Sequence, residues 1–363
     1  MRNRGYEQLK QRLIRAAVTK KVPIIGHFEL TARCNLDCKM CYVHTQDNAA
    51  VLKRELSTQQ WKHIFDEAYD AGMLYASLSG GECLIRKDFK ELYLHLWNKQ
   101  VMVAVMTNGT LLNEEYVEFF KTYKPEQIQI SLYGSNEDGY LRVTGHKGFD
   151  KATEAIQALE AAGIDVRVTV TPSKYILDDY IPTLKICKEK NFFMSNGDVA
   201  LIPKRDKADE NDYYLTCEEA FMLSKQRAEL YMELEPAECT PEPRGDMCTP
   251  PQKGLKCTAG TCAATVTWEG KMYPCVSITI GEGASLLEMS YAEAWEKTQL
   301  LAQQVVQGAE CVGCAYDKTC PLCPALRLKD LQSGQCNPDM CELTRKLVAI
   351  GAKKLDQGSE MHE

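Results

Sequence analysis

Apolar runs of the roughly 18 residues that a bilayer span requires are missing from this chain, and stretches such as VMVAVM at 101–106 fall far short. The basic N-terminal stretch MRNRGYEQLKQRLIRAAVTKK is followed by no apolar h-region, so no secretory signal is expected. Histidine is scarce, at six residues. His27, His63, His95, His146 and His362 have no ligand spacing and read as structural or surface groups. The net charge is −7 and there is no basic stripe with interleaved aromatics, which makes nucleic acid a poor candidate partner. No internal repeat at a fixed period is visible. These absences point to a soluble, cytoplasmic protein that engages neither membrane nor nucleic acid.

Cysteine, by contrast, is abundant: 17 of 363 residues. Its uneven spacing and the length of the chain exclude a disulfide framework, which belongs to small secreted domains. The thiols are expected to serve metal in a reducing compartment. Apolar residues at 45% and charged residues at 26% are ordinary for a globular chain, so a sizeable core is expected.

Residues 1–23 read as a basic helical arm, either a solvated amphipathic helix or a docking segment. From 24 to 203, β-like runs (Pro23–Leu30, Leu74–Leu78, Val101–Met106, Gln127–Leu132, Asp165–Thr171, Asp198–Ile202) alternate with helical patterns (Ser57–Ala71, Asp88–Lys99, Asn113–Tyr123, Phe149–Ala162, Leu177–Lys190). Ser57 with Gln60 reads as a capping box, and Gly72 and Gly163 as C-cap glycines. Alternation of this kind implies parallel strands with right-handed crossovers. Six units give an α/β fold, a partial (β/α)6 TIM-like barrel, with ligands at the carboxyl ends of its strands. Residues 204–256, polar and then proline-rich, read as a connector. Residues 257–345 hold nine cysteines with little sustained apolar pattern and are expected to form a small domain held by metal rather than by a core. A helix and tail, 346–363, close the chain.

The sharpest motif follows the first strand: Cys34-Asn-Leu-Asp-Cys38-Lys-Met-Cys41. Three soft thiolates on one loop favour iron–sulfur or zinc. A structural zinc would want a fourth ligand, whereas a four-iron cluster on three cysteines leaves one iron open. Ser79-Gly80-Gly81-Glu82 ends the second strand, Thr107-Asn108-Gly109 the third and Ser131 the fourth. The paired glycines are expected to let the backbone approach a ligand, and Glu82 can accept from an ammonium group.

With these residues the chain resembles the radical S-adenosylmethionine (SAM) superfamily over about residues 24–203. The resemblance implies that Cys34, Cys38 and Cys41 hold a [4Fe-4S] cluster whose open iron chelates SAM, and that Glu82 binds the SAM ammonium. Gly80, Gly81 and Asn108 would line the cofactor site, with the backbone of Met40 at adenine and Ser131 and Arg142 at ribose and carboxylate. It also implies reductive cleavage of SAM to a 5′-deoxyadenosyl radical that abstracts hydrogen from an unactivated carbon.

The later cysteines resemble the SPASM extension, which binds two auxiliary [4Fe-4S] clusters, three clusters in all. Cys257, Cys262, Cys275 and Cys323 would hold the first. Cys311, Cys314 and Cys320 would hold the second together with Cys341, or alternatively Cys336. Taken alone, Cys311–Cys323 also reads as a zinc ribbon.

Relatives with this extension mostly modify peptides, so the implied activity is an oxidative modification, such as a thioether or carbon–carbon cross-link, in a peptide or small-protein substrate. A reductant such as flavodoxin or ferredoxin would supply electrons. Only 33 residues precede Cys34, too few for a folded recognition domain, so a separate protein is expected to present the peptide unless it binds directly. Alternatives are a dehydrogenase of a small alcohol or sugar, a formylglycine-generating sulfatase maturase (weakened by Val276, where that subgroup has an aspartate base) and a non-catalytic iron–sulfur or zinc scaffold. Tyr273, Glu269 and Tyr133 are candidate proton acceptors. Cys83, next to Glu82, is a candidate for a substrate or thiyl role.

Overall fold

Local signals in the sequence set most of the helix boundaries. The structure, a computed structural model, describes residues 4–43, 48–194, 215–232, 257–305 and 338–349, with Tyr316, Cys320 and Cys323. Helix α1 spans Arg4–Lys20, α2 Asn48–Arg54 and α3 Thr58–Asp70. The box expected at Ser57 forms: its hydroxyl accepts from the Gln60 amide at 3.3 Å, and the Gln60 side chain accepts from the Ser57 amide at 2.9 Å. Gly72 ends that helix at φ +106°, a conformation a side chain would oppose.

Five parallel strands follow one another: β1 (Ile25–Glu29), β2 (Tyr75–Ser79), β3 (Met102–Thr107), β4 (Gln127–Ser131) and β5 (Val166–Thr169). Between them run α3, then α4 (Phe89–Asn98), α5 (Glu114–Thr122), and the pair α6 (Glu137–Thr144) and α7 (Phe149–Ala161). Helix α8 (Tyr180–Glu189) follows β5, and a parallel bridge from Val168 to Met194 starts a sixth position. The expected strand Asp198–Ile202 lies outside the described residues.

The cysteine-rich segment departs from expectation. Its strand β6 (Ala263–Val266) pairs in parallel with β1, and β7 (Lys271–Tyr273) and β8 (Ala284–Ser285) add antiparallel to it, giving one sheet of order β5-β4-β3-β2-β1-β6-β7-β8. Helix α10 (Tyr291–Gln304) then packs on α3, with the Tyr291 amide on Glu67 at 3.0 Å and the Trp295 indole on the Lys21 carbonyl at 2.8 Å. Ala264, Val266, Met272, Leu286, Tyr291 and Trp295 share one apolar core with Phe28, Leu78 and Val105. Apolar burial therefore contributes to holding this segment, which the cysteine count had assigned to metal.

The N-terminal arm is also docked rather than solvated. Tyr6 and Lys10 both bond Glu126, at 2.8 and 3.0 Å, and Ile14 and Ala17 pack on Ile24 and Cys262 at the amino ends of β1 and β6. Helix α9 (Cys217–Met232), inside the expected connector, packs with α11 (Pro338–Ala349) through Ala220, Leu343 and Leu347. Among the described residues no helix is long and apolar enough to cross a membrane.

Alternation along the strands separates two faces. Phe28 packs against Trp61 and Phe65 of α3, so even-numbered β1 positions face the helices. The register then puts His27, Glu29, Ser77, Gln129, Ser131 and Thr265 on the opposite, inner face. The same face carries Ile25, Tyr75, Met102, Ala104, Met106 and Ala263, so it is mixed, with its polar groups set among apolar side chains as in a ligand-holding interior.

Candidate active site

The loop from Cys34 to Cys41 leaves the carboxyl end of β1 and is gripped from both sides. The Asp37 amide donates to Thr144 at 2.8 Å and the Lys39 amide to Val143 at 3.1 Å, so carbonyls that a helix end leaves unpaired, here those of α6, hold the loop. On the other flank Glu55 accepts from the Thr31 hydroxyl at 2.6 Å and from the Arg33 guanidinium at 2.7 and 3.0 Å. Buried Arg86 supports that flank, donating to the Leu30 and Leu56 carbonyls and pairing with Asp88 at 2.7 Å.

Burial pushes the Cys34 thiol up to about 12, and the charges of Glu82 and Cys41 push the same way against a bond from the Leu36 amide. Cys38 stands well above the ordinary thiol range, from burial first and then from Cys41 and Cys34. Three thiolates packed beside a carboxylate repel one another, and positive charge among them would reverse that.

Glu82 is 1% exposed. Its carboxylate accepts from the Leu84 amide at 3.0 Å, the Asn108 amide at 2.8 Å and the Thr107 hydroxyl at 2.9 Å. Burial nevertheless raises its pKa, and among the described residues no cationic side chain pairs with it. The Asn108 side chain donates to Asn35 at 3.0 Å and, more weakly, to the Cys34 sulfur at 3.9 Å, while Thr110 bonds both Asn35 and Asn108. The turn after β3 thus ties the carboxylate to the cysteine loop.

The glycine pair works differently from the expectation. Methyls on Gly80 and Gly81 would run into the backbone oxygens of Thr31 and Arg33. The two loops instead join through Gly81 N to Thr31 O at 2.7 Å and Glu82 N to Arg33 O at 2.9 Å. The close approach is between loop and loop, with the ligand's share not required to explain it.

Of the other sequence-derived residues, Ser131 is at the end of β4, and Tyr133 hydrogen-bonds Thr171 and Ser131 within reach of the Cys38 and Cys41 charges. Met40 is buried in the main core. Tyr140, Val143 and Thr144 form the buried face of α6, and Arg142 is exposed. Glu269 is engaged by Arg54 and follows Trp268, which packs with Ala32, Val43, Cys41 and Tyr42 beside the cysteine loop, and the Tyr273 hydroxyl donates to the Gly281 carbonyl at 3.4 Å. Cys83 is fully buried, its thiol donating to the Met106 carbonyl at 3.4 Å and, more weakly, to Glu82 at 3.9 Å, and burial pushes it well above its ordinary range. Tyr140 went unread in the sequence. It is fully buried, its hydroxyl lacks a hydrogen-bond partner among the described residues, and its pKa is raised by burial and then by Cys38, Tyr133, Glu82 and Cys34.

Cys257, Cys275 and Cys323 pack against one apolar patch of Ala259, Ile278 and Val305. Cys262 is elsewhere: fully buried, it packs with Ile14, Ala17 and Ile24 beneath α1. The Cys320 sulfur accepts from Thr344 at 3.6 Å, one turn along α11 from Cys341. Cys311, Cys314 and Cys336 lie outside the described residues.

Residues 28–196, which include the cysteine loop, Glu82 and Ser131, match the family model of the radical SAM superfamily. The chain carries a radical SAM domain. The match implies SAM and an iron–sulfur cluster as cofactors, and the donor set suits them: three thiols on one loop, a buried carboxylate with no described cation, and the buried, unpartnered Tyr140 phenol, whose pKa both raise. The chain is 27% identical to the AdoMet-dependent heme synthase of Methanosarcina barkeri over 84% of its own length and 91% of that protein's. It is 34% identical to the antilisterial bacteriocin subtilosin biosynthesis protein AlbA of Bacillus subtilis, over 47% of this chain and only 39% of AlbA. Streptococcus suis SuiB bound to S-adenosylmethionine has the same fold, with a TM-score of 0.65 at 16% identity, covering 93% of this chain and 82% of SuiB. The radical SAM domain accounts for the triad, the glycine pair and Glu82 together.

Proposed function

We propose that the protein binds SAM at a [4Fe-4S] cluster on Cys34, Cys38 and Cys41 and uses it to oxidise a peptide or small-protein substrate. The observation that carries this is Glu82, a buried carboxylate with three donors and no described cation, fixed beside three thiols. Bound and reduced, cluster and SAM would supply a 5′-deoxyadenosyl radical that takes a hydrogen atom from carbon. Glu82 would hold the SAM ammonium, Asn108 would keep Glu82 and the Cys34 loop in register, and the inner face would receive the substrate. The relationship to AlbA supports a peptide. A reductant of the flavodoxin or ferredoxin kind would serve the cluster.

For the auxiliary clusters we propose Cys257, Cys275 and Cys323 on one, and Cys320 and Cys341 with Cys311 and Cys314 on the other. Cys262 is left out of the first, because it packs with α1 and not with its supposed partners. A second reading, chemistry on a tetrapyrrole or another small molecule, is favoured by one observation: the heme synthase match runs along 84% of the chain, including much of the cysteine-rich segment.

The test is anaerobic reconstitution with iron and zinc counted, then dithionite and SAM with 5′-deoxyadenosine quantified, then mass spectrometry of small peptides co-expressed with the enzyme. About 12 irons, deoxyadenosine and a peptide lighter by two hydrogens are expected. Product from an iron tetrapyrrole, with every peptide unchanged, moves the function to the second reading. No SAM cleavage from a loaded triad leaves a scaffold. In the same preparation Cys257→Ala should lose about four irons and Cys262→Ala none; the reverse result would restore Cys262 as a ligand.

A further inference from the structure

Two-electron oxidation of a substrate needs a place for a proton, and the residues first suspected, Glu269, Tyr273 and Tyr133, each already have a partner. Glu269 is held by Arg54, Tyr273 by its own hairpin, and position 276 is valine. The inner face of the sheet offers a different group. His27 is on β1, paired in register with Ser77 of β2 and Thr265 of β6. His27 is half-buried, and burial alone lowers its pKa. No described group hydrogen-bonds it. Beside it the Thr265 hydroxyl is fully buried and also without a partner among the described residues. Buried polar atoms are seldom left unpaired, and the Thr265 hydroxyl left so beside His27 on the inner face marks where a ligand's polar groups belong.

The position along the strand agrees. Four residues separate His27 from Thr31, where the cysteine loop begins, so the imidazole is roughly 13 Å below the loop at about 3.3 Å per residue. Cys275 is beyond Tyr273, towards the amino ends of β1 and β6. His27 therefore stands between the triad loop and the Cys257–Cys275–Cys323 patch.

We propose that His27 is the substrate-facing proton acceptor of the oxidation, a role that rests on the function proposed above. Removing two hydrogens from a carbon and its neighbouring heteroatom sends one as a hydrogen atom to the SAM-derived radical. The other leaves as a proton to the free imidazole nitrogen, and the remaining electron goes to an oxidised auxiliary iron–sulfur cluster, the oxidant this step requires. Burial lowers the pKa of His27 below the ordinary value, with no charged group contributing, so the ring is neutral and able to accept at pH 7. The titratable groups nearest on the facing elements are Glu29, two residues along the same face, Tyr75 on β2 and Tyr273 on β7. Glu29, roughly 7 Å along the strand, is placed to stabilise the imidazolium.

Two measurements test this. Diethylpyrocarbonate modifies imidazole only in its neutral form, and mapping on the loaded enzyme should find His27 reactive, with exposed His63 as a labelling control and a midpoint for His27 below the ordinary imidazole value. An unreactive His27, or a midpoint above that ordinary value, overturns the proposal without any variant. His27→Asn should keep its iron, its SAM affinity and deoxyadenosine formation. With the compound that loses two hydrogens in the assay above as probe, product per deoxyadenosine should fall about 100-fold or more and the acidic limb of the pH profile should vanish. Equal coupling and an unchanged profile would remove the role. Failure of the wild type to cleave SAM would strike the proposed function first, and show itself as such.

Discussion

Glu82→Gln should leave the triad's iron in place and weaken SAM binding by about 100-fold or more. Taking one partner from a buried charged pair costs about 3–5 kcal/mol, and every 1.4 kcal/mol is about tenfold in affinity. The substitution does more than remove charge. The carboxylate accepts from two backbone amides and the Thr107 hydroxyl, and an amide nitrogen in place of one oxygen would face a donor. Equilibrium dialysis with labelled SAM measures the loss, and an unchanged dissociation constant would sink the ammonium role. The pH dependence has a definite sign. Burial raises the Glu82 pKa in the cofactor-free fold, so its charge costs stability at neutral pH and that cost is relieved as pH falls through the raised pKa. SAM binding needs the ionised form, so wild-type affinity should fall over that same window, and the Gln variant should lose the dependence.

The parts of this site legible in sequence are those encoded locally. Cys34, Cys38 and Cys41 are close in the chain, Ser57 and Gln60 build a cap within one turn, and strand-end polar residues mark a functional edge in any parallel sheet. What escaped depends on distant partners. Nothing local says that the four residues Ala263–Val266 pair with β1, because short small-residue strands have little pattern and that pairing spans more than 230 residues. The exposure of Arg142 follows from which face α6 turns to the loop, and that is fixed by Thr144 and Val143 carbonyls receiving the Asp37 and Lys39 amides. Cys262 looks like its neighbours in spacing and differs only in packing. His27 was read as structural because a lone histidine in a strand has no spacing to betray it, while its unpartnered ring on the inner face is visible only with the sheet assembled.

Gly81→Ala is the smallest change expected to have a large effect, because of what its methyl would meet. The obstacles are the Arg33 and Ala32 carbonyl oxygens, backbone atoms of the segment that leads into Cys34, and no rotamer change can move them. Relief requires the two loops to part, stretching Gly81 N to Thr31 O and Glu82 N to Arg33 O and carrying Glu82 away from the triad. A displacement near 1 Å at a reacting centre can cost about 100-fold in rate, so deoxyadenosine formation should fall by about that factor, with a lower melting temperature beside it. Gly163→Ala is the control. Its φ of +74° is unsuited to a side chain, whereas Gly81 is not among the positive-φ glycines; an added methyl at 163 meets nothing within 4 Å, so the cost there is backbone strain alone, about 1–2 kcal/mol, with activity per folded molecule preserved. Equal activity losses in the two variants would show that general destabilisation, and not the contact between the loops, governs the site. A loss confined to Gly81→Ala would establish that the cofactor carboxylate is positioned by the backbone of the cysteine loop itself.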